Sequence, residues 1–516
     1  MLQINNTLNK LDYIFITILF VFSFAINWNF AKYGVFPIDS FYHYDPGYRI
    51  TNGEFPVKDY WVTTGIFVDF IEAFFFYLLD ANWLAHVLHS STLNGLITVF
   101  VYFTFIKFNL KKNYSFIFSS FFGVLAYTSS ATPFVDHHAA FFLLAGTLCF
   151  AIGIKKNFFL YWLLAPWFFG LSFLCKQVPS SYLIFLTLIV LSVYFFREKK
   201  KNFFYLTFGS SILFLSFICL VMYFLDIGFK DFYVQYLLYP PSIGEGRFMG
   251  FKITFSSFLN HYKFILIPFF SIIFLNVKNK KKNQYSLFLI LSFVVCLIFH
   301  QILTKNQIYI YFLSPLLFGL LMIEIQDKNY KFKNSIVIFI VALSLFVTLK
   351  YHERFNENRK FHELFSVDMK NSIDSSLIHK KLSGFKWITA EYEKNVKSEI
   401  ALLNLYQKKI SEDNRNKMVI THYLFLDSLT KENLNAPSRS FTLDGASFPT
   451  KDNMYYLSYK NFFNNKIKQK KIEVIYIMDK SISENVVLDY VEQKCIKKQE
   501  NTKIIKMYEL EKNCLY

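Results

Sequence analysis

The chain has 516 residues, 54% of them hydrophobic, with 66 Phe and 34 Tyr, and its mean hydropathy is +0.30. A soluble chain of this length rarely carries such a load, so repeated membrane-spanning helices are the first expectation. The net charge of +18 fits lysines gathered in cytoplasmic loops and near anionic lipid. No basic recognition helix, stacking platform or nucleic-acid module accompanies it, which argues against nucleic acid as a partner.

A spanning helix needs about 20 apolar residues. Stretches of that kind lie near 12–30, 84–106, 114–131, 137–154, 158–175, 179–196, 203–225, 259–276, 284–303, 307–324 and 334–350. The first has no small-residue cleavage site behind a short apolar core, so it reads as a retained helix. Lysine and arginine mark alternate connections: Lys107, Lys111 and Lys112; Lys155 and Lys156; Arg197 with Lys199–Lys201; Lys278–Lys282; and Lys328, Lys331 and Lys333. The positive-inside rule assigns all five to the cytoplasm. The N-terminus is then inside and everything after residue 350 outside. Segment 62–79 is apolar enough to span, yet a crossing there would invert every later loop. It carries Asp69 and Glu72 three residues apart on one helical face, so an amphipathic helix in the outer interface is expected.

The expected architecture is an all-α polytopic membrane domain of about 11 helices over residues 1–350. A long first outside loop (31–83) and a second one (226–258) extend from it. Residues 351–516 are polar, with β-rich runs at 418–425, 472–478 and 503–510 and helical patterns between them. A small extracytoplasmic α/β domain is the natural reading. Cys149, Cys175, Cys219 and Cys296 fall in or at the end of apolar runs and read as packing thiols. Cys495 and Cys514 lack zinc-site spacing, and an outside location leaves a disulfide between them open.

With this topology the polar residues at helix ends collect on the outer side. Asp39, His43, Asp45, Arg49, Lys58 and Asp59 lie in the first loop, and Asp136, His137 and His138 open a helix in TPFVDHHAA. Lys176 and Gln177 end a helix in FLCKQVPSSY, Glu245 and Arg247 lie in YPPSIGEGRF, and His300, Lys305, Tyr309 and Tyr311 surround HQILTKNQIYIY. Each has a bland alternative: Asp45 before Pro-Gly suits a turn, Asp136 suits a helix cap, Lys176 suits a snorkelling end, and the tyrosines suit an interfacial belt. Adjacent histidines on a helix point about 100° apart and chelate one metal poorly. Carboxylates and cations meeting at one face fit a transfer from a phosphate-linked lipid. Cations hold the departing phosphate and a carboxylate takes the acceptor's proton. No Walker loop, GxSxG elbow, HExxH or dinucleotide fingerprint is present, so energy should come with an activated substrate.

The run YDPGYRITNGEFPVKDYW resembles the first-loop signature of GT-C glycosyltransferases that use polyprenyl-phosphate sugars. The nearest branch holds lipopolysaccharide-core galacturonosyltransferases, the lipid A aminoarabinose transferase and protein O-mannosyltransferases. The matching positions are Asp45, Gly47 and Tyr48, then Gly53, Pro56, Asp59 and Tyr60. Asp136 is similar to the second acidic position, Phe173–Gln177 to a Leu-x-Lys-Gln helix end, and Ile308–Pro315 to a Tyr-containing segment. The chain departs from the pattern at Pro46, Val57 and Thr63-Thr64-Gly65.

The resemblance implies an inverting, one-step transfer of a sugar from a polyprenyl-phosphate donor to an envelope acceptor, whether glycolipid, polysaccharide or protein. It implies an integral protein of the bacterial inner membrane. Asp45 is expected as catalytic carboxylate with Asp136 assisting. Tyr48, Arg49, Lys58, Asp59, His137, Lys176, Arg247, Lys305 and Tyr309 are expected to bind substrate. Two carboxylates allow a divalent cation without requiring one, and metal dependence stays open. The competing reading is a transporter or flippase for lipid-linked sugars, against which the odd helix count and absence of broken helices weigh.

Overall fold

The computed structural model describes residues 9–243, 254–278, 284–304, 309–328, 330–502 and 504–514. Among these, eight helices are long and apolar enough to cross a membrane. They are α1 (Lys10–Phe30), α4 (Trp83–Lys107), α6 (Val135–Lys156), α8 (Gln177–Arg197), α9 (Lys201–Phe224), α10 (Phe255–Lys278), α11 (Tyr285–Thr304) and α13 (Lys333–His352). Three further expected spans form shorter helices: α5 (Lys112–Leu125), α7 (Phe159–Cys175) and α12 (Leu313–Ile325). At 1.5 Å per residue these reach only about 20–26 Å. Their ends are continued by non-α turns at Tyr127–Ser129 and Ile310–Phe312 beside α5 and α12. The chain is an integral membrane protein, and large apolar side chains such as Phe196, Phe224 and Phe274 stay exposed on its flanks.

The first loop is built rather than extended. It holds α2 (Tyr44–Thr51) and α3 (Ile66–Leu79). Helix α3 buries Asp69 and Glu72 completely and exposes Phe74, Tyr77 and Leu78. Its acidic face therefore looks into the protein, where histidines and an arginine meet it, and its apolar face looks out.

After α13 come a two-stranded ribbon, β1 (Ile373–Asp374) and β2 (Lys386–Trp387), and the helix α14 (Val396–Glu412). A four-stranded sheet follows, with α15 (Tyr456–Gln469) between its first two strands. The strands are β3 (Lys417–Ile420), β4 (Val474–Ile477), β5 (Ile496–Asn501) and β6 (Lys506–Leu510), in the order β3-β4-β6-β5. The β3–β4 pair is parallel, and β4–β6 and β6–β5 are antiparallel. Three of the four strands coincide with the β-rich runs of the sequence, and β5 does not. The helical pattern at 483–493 shrinks to Asn485–Leu488. Cys495 and Cys514 form a disulfide.

One apolar core joins the first loop to the tail. It contains Phe41, Tyr44, Trp61 and Trp83 together with Trp387, Phe425 and Tyr459. Phe41 stacks on Phe425 with centroids 4.1 Å apart, and Trp83 on Phe385 at 4.1 Å. The backbone joins too: Gly34 N–H donates to the Lys386 carbonyl and Val35 N–H to that of Ile388, both at 3.0 Å.

Candidate active site

The ends of α6, α7, α8 and α11 on the tail side meet around one carboxylate. Asp136, on the first turn of α6, accepts from Lys176 Nζ at 2.7 Å and lies 3.0 Å from His300 Nε2, both contacts at Oδ1. Lys176 is the extended residue between α7 and α8. Its place is fixed by the first loop. Gly65 N–H donates to the Cys175 carbonyl at 2.7 Å and Thr64 Oγ1 to the same oxygen at 2.9 Å. Gln177 Nε2 donates to the carbonyls of Thr63 and Tyr236 at 2.8 and 2.7 Å. Thr63-Thr64-Gly65 is thus the clamp on the lysine turn.

Asp39 lies within electrostatic reach of this group. It sits in the short helix Pro37–Ser40 of the first loop and is only half-buried by accessible surface. Protein surrounds its carboxyl closely enough that burial, then the charges of Asp136 and Glu363, push its pKa up to about 7 against the opposing pull of Lys176. A carboxyl that is partly open yet near neutral in pKa can exchange a proton with a bound hydroxyl.

Behind Asp39 a buried polar network carries the loop. His86 Nε2 donates to the carbonyl of Ser40 at 2.8 Å, and its Nδ1 lies 2.6 Å from Glu72. The second Glu72 oxygen lies 2.6 Å from His89 Nδ1, and His89 Nε2 is 2.8 Å from His138 Nε2. His138 Nδ1 ends the chain 2.7 Å from the Tyr127 hydroxyl. A parallel group holds α3 to the tail. Asp69 lies 2.7 Å from His43 Nδ1 and pairs with Arg439, whose Nη1 donates to the Thr64 carbonyl at 2.5 Å. Gly65, at φ +79°, would bring a Cβ within 2.6 Å of His43 and 2.9 Å of Arg439, so only glycine permits this crossing.

The expected residues divide. Asp136 and Lys176 come together, and Tyr309 joins them with its hydroxyl 3.5 Å from the Asp136 carbonyl and its ring 4.5 Å from that of His137. His137 Nε2 is 2.6 Å from Ser129 Oγ. Asp45 is elsewhere: fully buried, 3.9 Å from Arg49 and hydrogen-bonded to Asp427 of the tail. Burial raises the pKa of both carboxyls, and Asp45 raises that of Asp427 further, which fits a proton shared between them.

Arg49 is not available to substrate. Its Nε donates to Glu54 at 2.9 Å, its Nη1 to the Ala436 carbonyl at 2.8 Å, and its guanidinium lies 4.4 Å over the Tyr60 ring. Glu54 also accepts from Asn433 and Lys470 at 2.9 and 2.7 Å, so this hub ties loop to tail. Burial opposes ionisation of Glu54, but Arg49 and then Lys466 hold its pKa well below the usual carboxylate range. Lys58 pairs at 2.8 Å with the exposed Asp226. Asp59 accepts the Phe55 N–H at 2.8 Å as a turn residue. Tyr48 packs toward the tail core, with Lys381 Nζ 5.9 Å over its ring. Arg247 and Lys305 lie outside the described residues.

A divalent cation finds no ready ligand set. Among the described residues no three His, Cys, Asp or Glu side chains gather to hold one, and Lys176 and His300 already occupy the Asp136 carboxylate. Sequence reasoning grouped Asp39 with its neighbours but gave the catalytic place to Asp45. The six-residue spacing from Asp39 to Asp45 puts a helix start between them, at Tyr44, and the two side chains part company there.

No family model matches the chain, and no curated protein matches it. Among solved structures the chain is similar to the crystal structure of ArnT from Cupriavidus metallidurans in the apo state. The identity is 10% and the TM-score 0.46, over 97% of this chain and 98% of that one.

Proposed function

We propose that the chain is a membrane glycosyltransferase that moves a sugar from a polyprenyl-phosphate donor to an envelope acceptor at the outer face of the membrane. The observation that carries this reading is Lys176 held with His300 on Asp136 at the tail-side ends of four helices, with Asp39 within electrostatic reach of both Asp136 and Lys176. Asp39 is the general base. As the acceptor oxygen bonds to the anomeric carbon, its proton passes to the Asp39 carboxylate. The bond from that carbon to the phosphate oxygen breaks, its electron pair leaves with polyprenyl phosphate, and the anomeric centre inverts. Lys176, held by Asp136, donates to the phosphate as its charge grows. Asp136 is a positioning carboxylate, since its Oδ1 is committed to Lys176 and His300. Asp45 is reassigned from base to structural partner of Asp427.

The test compares envelope glycans by mass spectrometry in a null strain complemented with wild type, Asp39→Asn or Asp45→Asn. A sugar missing in the null, restored by wild type and by Asp45→Asn but not by Asp39→Asn, is the expected result. An unchanged glycan profile in the null would reject a transferase. Restoration by Asp39→Asn would reject its role as base.

A further inference from the structure

Arg359 poses a problem that its own structure does not answer. It follows α13 by a short π turn at Glu353–Glu357 and precedes the 3-10 turn Lys360–His362. It is 1% exposed, yet among the described residues no carboxylate pairs with it. Its Nη2 lies 3.4 Å from His362 Nε2, while among the described residues Nε and Nη1 have no hydrogen-bond partner. His362 is equally buried, and among the described residues its Nδ1 is also without a partner. With Nε2 accepting from Arg359, the Nδ1 of His362 carries a proton. The cluster therefore presents unused N–H groups and no acceptor to meet them. A guanidinium taken out of water with nothing to balance it is strongly unfavourable, as are buried donors left unpaired.

The backbone around it is strained as well. Arg359 and Glu363 bracket the turn at φ +45° and +61°, a region that non-glycine residues adopt at a cost and that concentrates at functional sites. The turn packs against the start of α6, where Asp136 lies. Phe361 packs edge-on against Phe134 with centroids 4.9 Å apart and against His137 at 5.8 Å. His137 is the next residue after Asp136, and its own Nδ1 is another buried atom without a partner among the described residues. Glu363 lies within electrostatic reach of Asp39. Buried, donor-only and strained, the cluster has the character of a site completed by an oxyanion.

We propose that Arg359, with His362 beside it, is an oxyanion-binding subsite beside the Asp136 end of α6 that takes the phosphate of a substrate. Guanidinium and imidazole N–H groups would converge on one phosphate in the fork geometry arginine favours. The identification of that phosphate as the donor's rests on the function proposed above; the oxyanion site itself does not.

The test uses the purified full-length chain in detergent, with thermal unfolding followed against added decaprenyl phosphate, decaprenol and inorganic phosphate. Arg359→Met keeps the aliphatic bulk and removes the charge, and His362→Gln is a milder second variant. With no ligand, Arg359→Met should unfold at or above the wild-type temperature, because it removes an unbalanced buried charge. A marked fall would mean that the guanidinium has a structural partner and would overturn the subsite. Wild type should be stabilised by decaprenyl phosphate and not by decaprenol. Arg359→Met should bind the phosphate about tenfold more weakly or worse, as loss of a charge-assisted hydrogen bond requires. Equal binding by wild type and Arg359→Met overturns the subsite and leaves the transferase reading intact. If wild type ignores decaprenyl phosphate, the lipid-linked donor is rejected instead. Inorganic phosphate then decides the subsite: stabilisation of wild type but not Arg359→Met retains it, and no difference removes it.

Discussion

Lys176 and Asp136 provide a test that separates stability from chemistry. Their side chains are 16% and 2% exposed and 2.7 Å apart. Removing one member of a fully buried pair leaves an unbalanced charge and costs about 3–5 kcal/mol. Lys176 keeps some access to water and Asp136 retains His300 at 3.0 Å, so Lys176→Ala should cost about 2–3 kcal/mol, less than the fully buried case. Asp136→Asn leaves an ammonium that can still turn toward solvent, and should cost about 1–2 kcal/mol. In the double variant neither charge remains. Its loss should fall short of the sum of the single losses by about 2 kcal/mol, a coupling well above the scatter of independent sites. Unfolding midpoints of the full-length chain in mixed detergent give the three differences. Activity should behave otherwise: all three variants lose transfer, and the double variant recovers none of it although it recovers stability. Additive losses within about 0.5 kcal/mol would refute the pairing. Restored transfer in the double variant would refute the assignment of Lys176 to the departing phosphate.

Asp39→Asn should reduce kcat by about 10²–10⁴-fold, as loss of a general base does, while Asp45→Asn leaves kcat within a few-fold of wild type; the reverse order would return the base to Asp45. Because burial and neighbouring carboxylates push Asp39 to about 7 and the base acts when ionised, kcat/KM should rise tenfold per pH unit below about 7 and level off above it. A profile flat from pH 5 to pH 8 would exclude it. Glu72→Gln puts an amide where two imidazole nitrogens each lie 2.6 Å from a carboxylate oxygen, so one contact is lost or reversed and the unfolding midpoint should fall by about 1–3 kcal/mol equivalent; an unchanged midpoint argues against the network. Cys495→Ser opens a crosslink spanning 19 residues and should cost about 3 kcal/mol, read as faster proteolysis of the tail and reproduced in wild type by a reductant.

The membrane part was legible because hydrophobic length and loop lysines are local signals, and every stretch proposed as a span forms a helix. Its shorter members show the limit of that signal. Residues 114–131 read as one apolar run, but α5 stops at Leu125 and the chain turns at Tyr127–Ser129, where Asn94 Oδ1 accepts the Tyr127 N–H at 3.0 Å. Asp136 and Lys176 were legible for a different reason: ionisable groups at helix ends on one side of a bundle have few places to go but toward each other. Arg49 shows why motif position was not enough. Its partners Glu54 and Ala436 are 5 and 387 residues away, and nothing local distinguishes a structural fork from a substrate-binding one.

Segment 62–79 carries the same lesson into the site. Its apolar length tempted a spanning assignment, and its two acids suggested a polar face turned to water. Both acids are instead buried, Asp69 against His43 and Arg439, Glu72 between His86 and His89. A helix with one acidic stripe cannot say from its own sequence whether water or cationic side chains will meet that stripe. Here the stripe does two jobs at once. Asp69 draws in Arg439, which brings the tail over the Thr-Thr-Gly clamp on Lys176. Glu72, through His86, holds the carbonyl of Ser40 and with it the turn that presents Asp39. Most charged residues of the first loop thus act on one another and on the tail. Asp39 is half-open and lies within electrostatic reach of Asp136 and Lys176. A buried charge that is fully partnered holds the fold, and one that keeps an open side is where a substrate proton can go.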